Sequence, residues 1–269
     1  MSHPFRDAVL LGAVQGVTEF LPISSDGHLA LVELLFKIDE GSLTFNVMLH
    51  AGTLFATALM MRERVGRVVI DGVRAVPHPS SLPNSPGGRD LLVVLLASIP
   101  TALIGLLLRD AVERWTRSPW VVGIGFLMTS VCVFSTMWVR PGSRDVPSYA
   151  GAVFVGIAQG LAVLPGFSRS GATITSALWL GVRPERAFEL SFLMSLPAVF
   201  GAILLEGRHA MRESFPVLPA LIGATVAFAT GVAAIAVLRR VVISGRFALF
   251  ALWTLPLAIA TMAMAAVWP

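Results

Sequence analysis

The 269-residue sequence has little charge and almost no cysteine, lysine or tyrosine. Only 13% of its residues are Asp, Glu, Lys or Arg, whereas a soluble domain carries about 25%. Hydrophobic residues make up 55% of the chain and the mean hydropathy is +0.79, which excludes an ordinary soluble domain and a disordered chain. The single cysteine, Cys132, excludes a disulfide scaffold. The apolar runs are continuous and do not alternate with polar residues, which favours helices over a membrane β-barrel.

The positive charge of the chain is almost entirely arginine. Nineteen Arg and one Lys stand against 16 acidic residues, and the formal net charge is +4. Most of the arginines flank apolar runs, as is typical of residues that anchor a helix among lipid headgroups. We therefore expect the bilayer as a partner and no nucleic acid.

Six apolar stretches are long enough, or nearly so, to cross the hydrocarbon core, which takes about 20 helical residues. These stretches are 43–61, 91–108, 118–139, 187–205, 216–238 and 247–268. Two more, 8–36 and 150–182, are interrupted by ionisable residues and by proline and glycine. Irregular backbone at membrane depth is tolerated only where it is buried in protein or lines a wet cavity. We therefore predict an all-α polytopic membrane protein with six transmembrane helices and two re-entrant helix-loop-helix hairpins.

The two predicted hairpins align with each other without gaps at an offset of 144 residues. The aligned identities are Gln15 with Gln159, Gly16 with Gly160, Ser24 with Ser168, and Gly27 with Gly171. Each half would hold one hairpin and three spans, and because three is odd the second half must be inverted in the membrane. We therefore predict a single membrane domain over 1–269, with repeat 1 at 1–140 and an inverted-topology repeat 2 at 141–269.

The distribution of Arg and Lys predicts the orientation. Twelve basic residues lie in the connections that fall on one side, and seven lie on the other side. The four connections of the basic side are 62–90, 140–149, 183–186 and 239–246. By the positive-inside rule this side is cytoplasmic, and both termini lie on the outer face.

The first hairpin carries the residue types of a reactive site. Gln15 and Glu19 are four residues apart and share one helical face, and Ser24, Ser25 and His28 follow in the loop. Ser25 could be a nucleophile, His28 a base or acid, and Glu19 an orienting group or a metal ligand. Ionisable residues inside a membrane are costly, which makes them candidates for function. A simpler role is open for Ser24, which could bond only to the preceding turn.

The second hairpin carries the residue types of a phosphate site. Arg169 supplies a planar fork of donors that matches phosphate oxygens. Glycines just before a predicted helix expose backbone N–H groups at its positive end. The candidate phosphate ligands beside this arginine are Gly166, Ser168, Ser170, Gly171 and Thr173. A simpler alternative is open, in which Arg169 pairs with Glu19 only to lock the two hairpins together.

The two segments resemble the undecaprenyl-diphosphate phosphatases, also called bacitracin-resistance proteins. The family's first motif, Glu/Gln-x-x-x-Glu followed by Phe-Leu-Pro-x-Ser-Ser-x-Gly-His, stands at 15–28. Its second motif, Pro-Gly-x-Ser-Arg-Ser-x-x-Thr, stands complete at 165–173. The segments 45–52 and 188–197 are also similar to the family, so the resemblance covers nearly the whole chain.

The resemblance implies an integral membrane phosphatase that converts a C55 polyprenyl diphosphate into the monophosphate lipid carrier and inorganic phosphate. This activity would recycle the carrier for cell-wall synthesis and confer resistance to bacitracin. Glu19, Ser25, His28 and Arg169 match the family's essential residues, and either Ser25 or His28 would be the nucleophile. Ser24 would join the second hairpin in binding the diphosphate.

The resemblance also implies partners for the chain. A divalent cation, Mg²⁺ or Ca²⁺, would be bound with Glu19 and Gln15 as candidate ligands, and no other cofactor is expected. The protein would be a homodimer in the bacterial plasma (inner) membrane, with a cavity open to the outer face. This chain departs from the family pattern at Gln15, where many members have Glu, and at Asn46 and His50, where some relatives have Glu and Gln. Asn46 or His50 could contribute to metal or phosphate binding instead.

The main alternative function is transport of the polyprenyl phosphate by a flippase, because inverted repeats with broken helices are typical of transporters. Binding alone does not require a cluster of Ser, His and Glu, which favours the enzyme. A lipid kinase is less favoured, because the sequence has no phosphate-binding loop of the Gly-x-x-x-x-Gly-Lys-Ser/Thr type.

Overall fold

A computed structural model describes residues 4–36, 43–116, 118–210 and 217–267. The α-helices in these ranges are α1 Pro4–Thr18, α2 Ser25–Phe36, α3 Leu43–Met60, α4 Arg62–Ala75, α5 Pro86–Thr116, α6 Pro119–Phe134, α7 Tyr149–Leu161, α8 Arg169–Trp179, α9 Pro184–Ala210, α10 Val217–Ile243 and α11 Ala251–Val267. Short 3₁₀ helices occupy Pro79–Asn84, Ser135–Trp138 and Phe247–Phe250. Three of the seven basic residues assigned to the less basic side, Lys37, Arg117 and Arg212, lie outside the described residues.

Most of the predicted spans are single helices in the structure. Within the described ranges, α5, α6, α9, α10 and α11 lie in segments that are long and apolar enough to cross a membrane. The remaining predicted span, 43–61, corresponds to α3, which is long enough only together with α4, and these two helices meet at a bend of 78°. The prediction of an all-α polytopic membrane protein is therefore confirmed, with five or six helices of spanning character.

The connection 62–90 contains a helix that a search for apolar runs does not detect. α4 is strongly amphipathic, and Val69, Ile70 and Val73 are exposed on its surface together with Arg67. Its axis turns away from α3 at Met61, so α4 does not simply extend that span. A helix of this kind at the end of a span is typical of one that lies in the membrane interface.

Both predicted hairpins are pairs of helices separated by irregular backbone. α1 ends at Thr18 and α2 begins at Ser25, while α7 ends at Leu161 and α8 begins at Arg169. A proline stands in each break, Pro22 in the first and Pro165 in the second, and proline cannot continue a helix without losing a hydrogen bond. The two breaks place the polar motifs on loops between half-length helices.

Small residues let the first helix of each hairpin approach a helix of the other half. An added Cβ on Gly12 of α1 would lie 2.5 Å from the carbonyl oxygen of Gly223 in α10. An added Cβ on Gly156 of α7 would lie 2.3 Å from the carbonyl oxygen of Ala97 in α5. Gly, Ala and other small residues have this role in many membrane helix pairs. Each half of the chain therefore supplies the packing surface for the hairpin of the other half.

A buried ion network joins α4, α5 and α9. The guanidinium of Arg186 donates to both Asp90 and Glu189. Arg64 Nη2 lies 2.8 Å from Glu189 Oε2, and Arg64 Nη1 lies 3.5 Å from Asp90 Oδ2. The side chain of Asp90 is only 1% exposed. Two positive and two negative groups balance here, so each buried charge has an opposite charge beside it.

Candidate active site

The loops of the two hairpins meet, and their charged residues form an ion pair. Arg169 Nη2 lies 2.6 Å from Glu19 Oε1, although 150 residues separate them in the chain. The backbones are also close, because an added Cβ on Gly171 would lie 3.4 Å from the Cβ of Pro22. The side chains of Glu19 and Arg169 are only 7% and 20% exposed, so water screens their attraction less than at an open surface.

The carboxylate of Glu19 accepts hydrogen bonds from three side chains. Arg169 donates to Oε1, and on the other oxygen, Oε2, Ser25 Oγ donates at 2.7 Å and Gln15 Nε2 donates at 3.2 Å. A serine hydroxyl that points its proton at a carboxylate is the arrangement that activates a serine nucleophile. The geometry therefore makes Glu19 the group best placed to accept the proton of Ser25.

His28 lies one turn after Ser24 at the start of α2, and both of its ring nitrogens have partners. Nδ1 lies 2.8 Å from the carbonyl oxygen of Ser24, and Nε2 lies 3.0 Å from the indole N–H of Trp253, which donates to it. These two contacts require a neutral ring with its proton on Nδ1. The hydrogen bond of Ser25 goes to Glu19 rather than to this ring, so proton transfer by His28 stays a prediction.

Ser24 has a backbone conformation that is uncommon for a residue with a side chain. Its φ angle is +68°, in the left-handed region, and the residue is buried. This turn directs its carbonyl oxygen to His28 and lets α2 begin at the next residue. The structure thus gives Ser24 a role through its backbone, whereas binding of diphosphate by its hydroxyl stays a prediction.

Aromatic packing fixes the first loop. The ring of Phe20, next to Glu19, stacks on Phe192 of α9 with 5.6 Å between ring centroids, and Phe20 is buried in the main core. On the other side of the loop, an added Cβ on Gly27 would lie 2.5 Å from the ring of Phe126 in α6. Glycine at 27 lets α2 lie this close to the Phe126 ring.

The second loop is held on α6 by a tight turn and two hydrogen bonds. Gly166 has φ +87°, and an added Cβ there would lie 2.2 Å from the carbonyl oxygen of Val122. The hydroxyl of Thr129 donates to the carbonyl of Gly166 at 2.8 Å and accepts the N–H of Ser168, also at 2.8 Å. α6 therefore supports both loops, which the sequence did not predict.

The start of α8 uses several of the predicted phosphate ligands to hold its own structure. The Ser168 side chain caps the helix by accepting the N–H of Gly171 at 3.1 Å. The hydroxyl of Thr173 donates to the carbonyl of Arg169 at 2.9 Å and lies 2.6 Å from the hydroxyl of Ser191. The N–H groups at the first two helical positions, Arg169 and Ser170, have no acceptor within the helix.

A small cavity opens beside the ion pair. Its lining residues, among those the structure describes, are Glu19, Phe20, Arg169, Ser170, Ser191, Phe192 and Ser195. Its polar lining consists of the Glu19 carboxylate, the Arg169 guanidinium and three serine hydroxyls. The other predicted diphosphate ligands are not part of this lining: Ser24, Gly166, Ser168, Gly171 and Thr173.

Sequence analysis missed the two serines of α9. Ser191 and Ser195 are four residues apart, so they share one helical face, and both are buried at the cavity. The span that contains them is otherwise apolar, and a serine in a membrane helix more often bonds only to the preceding turn, as Ser195 also does with the carbonyl of Phe192 at 2.8 Å. The spacing of four was the signal that could have identified them.

The residues near Glu19 do not fit a resident divalent cation. Mg²⁺ and Ca²⁺ take several oxygen ligands, with carboxylates preferred. Both oxygens of Glu19 already accept donors, one of them a guanidinium, and Gln15 adds a single amide oxygen, Oε1, that is buried without a hydrogen-bond partner. In the described parts of the chain, no three residues among His, Cys, Asp and Glu are grouped so that they could hold a metal ion.

Known proteins are similar to this chain over nearly its whole length. The family model described as bacitracin resistance protein BacA matches residues 8–260. The undecaprenyl-diphosphatase of Desulforapulum autotrophicum is 39% identical over 257 residues, which cover 90% of this chain and 92% of that protein. The undecaprenyl-diphosphatase of Korarchaeum cryptofilum is 36% identical over 260 residues, which cover 96% and 98% of the two chains. The match spans nearly the whole sequence, and the chain belongs to the bacitracin resistance protein BacA family that its two motifs indicated.

Proposed function

We propose that this protein is a membrane phosphatase that hydrolyses undecaprenyl diphosphate to undecaprenyl phosphate and inorganic phosphate. The names of its relatives support this substrate. The observation that carries the proposal is the contact of Ser25 with Glu19, and of Glu19 with Arg169, beside a cavity lined with hydroxyls. A nucleophile, its base and a phosphate-binding cation are then present within one hydrogen-bonded group.

The diphosphate binds against Arg169 at the mouth of the small cavity between the loops and α9, because the cavity itself is close to the size of one water molecule. Arg169 keeps further N–H groups beyond the one that donates to Glu19, and these can bind phosphate oxygens in a fork. Ser170, Ser191 and Ser195 place hydroxyl groups around the same space. The polyprenyl tail stays in the lipid along the apolar outer surfaces of the spans, because transfer of so long a hydrocarbon into water is unfavourable.

Ser25 then attacks the terminal phosphorus. The bond between its Oγ and the phosphorus forms while the bond from that phosphorus to the bridging oxygen breaks. Undecaprenyl phosphate leaves with the bridging oxygen, and Glu19 accepts the proton of the hydroxyl. Most of the acceleration comes from positioning and from the stabilisation of phosphate charge by Arg169.

Water completes the reaction by attacking the phosphoserine. The bond from the water oxygen to phosphorus forms while the bond from phosphorus to Ser25 Oγ breaks. Glu19 returns to Oγ the proton that it took in the first step, and the protons of the water leave with the inorganic phosphate. His28 as the nucleophile is the less supported alternative, because its Nε2 accepts the indole N–H of Trp253. Proton transfer by His28 in this second step stays part of the proposal.

A divalent cation remains a proposal that belongs to the substrate rather than to a preformed site. Mg²⁺ usually binds through one or two carboxylates together with substrate phosphates. Gln15 Oε1 and Glu19 are the candidate ligands on the protein, and no step above is routed through the ion. A cation would neutralise charge on the bound diphosphate.

The flippase alternative is not favoured by the comparisons, because the curated relatives are named as diphosphatases.

We also propose a plasma membrane location with both termini on the outer face. The excess of basic residues in the connections of one side supports this orientation. A homodimer is proposed from the family resemblance. The molecular mass of the purified complex in detergent, after correction for bound detergent, measures this directly.

The inverted duplication is likewise a proposal. The offset of 144 residues that relates the two motifs also relates Gly12 to Gly156, and both glycines are close-contact positions of their hairpins. The same offset relates Gln15 to Gln159 and His50 to Met194. Gln15 lies 3.1 Å from the His50 ring, and Gln159 lies 3.5 Å from the carbonyl oxygen of Met194.

Phosphate release from undecaprenyl or farnesyl diphosphate in detergent tests the activity. The wild-type protein should release phosphate, and Ser25→Ala should reduce the rate by at least about a hundredfold, because the nucleophile is lost. Ser98→Ala is the matched control, since among the residues that the structure describes the Ser98 hydroxyl bonds only to the carbonyl of Val94 in its own helix. Wild-type rates from the Ser25 variant would exclude this serine as the nucleophile, and an inactive wild-type protein would contradict the proposed function.

A further inference from the structure

A fourth side chain, that of His50, is connected to the Glu19 carboxylate through Gln15. Gln15 is fully buried in α1, and its Nε2 donates to Glu19 Oε2 at 3.2 Å. The same nitrogen lies 3.1 Å from Nδ1 of His50, on α3. His50, Gln15, Glu19 and Ser25 thus form one continuous chain of hydrogen bonds from α3 to the start of α2.

The hydrogens in this chain can be assigned from its acceptors. An amide nitrogen has two hydrogens and no free lone pair, so Gln15 Nε2 must donate to both neighbours. A reversed amide would turn Gln15 Oε1 toward the carboxylate of Glu19, and two acceptors would then face each other. The carboxylate therefore fixes the amide, and the amide requires Nδ1 of His50 to be unprotonated and to accept.

The two hydrogen bonds of Gln15 fix the position of Glu19 Oε2, the oxygen proposed to accept the Ser25 proton. Oε2 is the oxygen that accepts the Ser25 hydroxyl, whereas Arg169 binds the other one. Without His50, the amide of Gln15 would lose one of its two partners and could turn away from Glu19. Oε2 would then keep only Ser25 as a donor, and the carboxylate could rotate about its bond to Arg169.

We propose that His50 is a positioning residue of this reaction, which acts through Gln15 to direct the Glu19 carboxylate at Ser25. The inference rests on the proposed function, because it assigns Glu19 as the base. The ring of His50 contacts Gln15, and Gln15 in turn bonds to Glu19, so the proposed role of His50 is on the base. The effect therefore falls on the rate of the bound complex more than on substrate binding.

The second half of the chain supplies a comparison inside the same molecule. Gln159 is also buried, but it donates to the hydroxyl of Thr101 at 3.2 Å and to a backbone carbonyl, that of Met194. No carboxylate takes part in that set of contacts. The imidazole acceptor thus occurs in the half that carries Glu19 and Ser25, as expected if it serves the reaction rather than the packing of the hairpin.

Two substitutions of His50 by an amide residue test whether the position of the acceptor atom matters, or only the presence of a polar group. In His50→Asn the amide oxygen stands two bonds from Cβ, as Nδ1 does, so it can accept from Gln15. In His50→Gln the amide lies one bond farther out, where Nε2 stands in histidine. We expect kcat of His50→Asn within about threefold of wild type, and kcat of His50→Gln and His50→Leu reduced about tenfold to a hundredfold, with KM changed less than about twofold.

A double substitution adds a second readout. If His50 acts only through Gln15, then His50→Leu should cost little further activity in a Gln15→Met background, because both changes break the same chain. Equal losses in the Asn and Gln variants, losses confined to KM, or fully additive losses would overturn the inference. If the Leu variant fails to fold, the Asn and Gln pair decides. Wild-type activity is measured alongside, so an inactive wild-type protein would contradict the proposed function rather than this role of His50.

Discussion

The site depends on how the side chains around Glu19 share its two oxygens. Arg169 takes one oxygen, and Ser25 and Gln15 share the other. The sequence could predict Glu19 and Arg169, because a charged residue in an apolar stretch is rare and costly. It could not predict Ser191 or the contact of Trp253 with His28, because these partners come from distant helices and are ordinary residues in an apolar span.

Replacing Arg169 with lysine should show that the shape of the cation matters as well as its charge. Arg169 donates to Glu19 and keeps N–H groups for phosphate, whereas a lysine has one compact ammonium that cannot reproduce the fork. We expect kcat/KM to fall by at least about a hundredfold in Arg169→Lys, measured as phosphate release in detergent. The control is Arg239→Lys, which changes an exposed partner of Glu185 and should leave the rate unchanged. Near-normal activity of Arg169→Lys would remove the fork from the mechanism.

Elements that have a local signal in the sequence were predicted, and elements that depend on tertiary contacts were not. Continuous apolar runs predicted the spans, and proline with glycine predicted both breaks. α4 was missed because it is amphipathic rather than apolar. The support that α6 gives to both loops was missed because Phe126 and Thr129 acquire this role only when the loops pack on them.

The turn at Gly166 should be intolerant of any side chain. Gly166→Ala would place a Cβ about 2.2 Å from the Val122 carbonyl oxygen in a left-handed conformation that alone costs about 1–2 kcal/mol for alanine. We expect a clear loss of unfolding free energy in mixed detergent and SDS, together with reduced phosphate release. Gly201→Ala is the control, because an added Cβ at Gly201 of α9 would meet no atom within 4 Å. Equal stability of the two variants would contradict the tight turn.

At the scale of the whole molecule, two charged contacts join the halves in addition to the packing of their helices. The hairpin loops meet at the Glu19–Arg169 pair, and elsewhere the ion network of Arg64, Asp90 and Arg186 joins α4, α5 and α9. The sequence indicated that the loops could meet, since they carry opposite charges and complementary chemistry. It gave no indication of the network, because Arg64 and Asp90 fall in what looked like a polar connection.

Breaking the ion network should lower the unfolding free energy far more than breaking an exposed ion pair. Asp90→Asn removes one of two buried negative charges and leaves Arg64 and Arg186 with Glu189 alone, so we expect a loss of about 3 kcal/mol in unfolding free energy. Glu185→Gln breaks the pair with Arg239. The side chains of Glu185 and Arg239 are 43% and 50% exposed, so this change should lower the unfolding free energy by less than about 1 kcal/mol. Unfolding in mixed detergent and SDS measures both. A loss no larger than that of the control would contradict a structural role for the network.

The most direct test of the account asks whether the two loops touch in the folded protein. Pro22 and Gly171 are suited to a disulfide, because a Cβ at 171 would lie 3.4 Å from that of Pro22 and disulfides span about 3.5–4.5 Å. Both would be changed to cysteine in a Cys132→Ala background, with a protease site inserted at Pro79–Asn84. After oxidation and cleavage, the account predicts that the two fragments of the double variant migrate together on a denaturing gel and separate when reductant is added. The fragments of each single-cysteine variant should separate even without reductant. If the fragments of the double variant separate without reductant, the two loops do not meet, and the proposed site formed between them is contradicted.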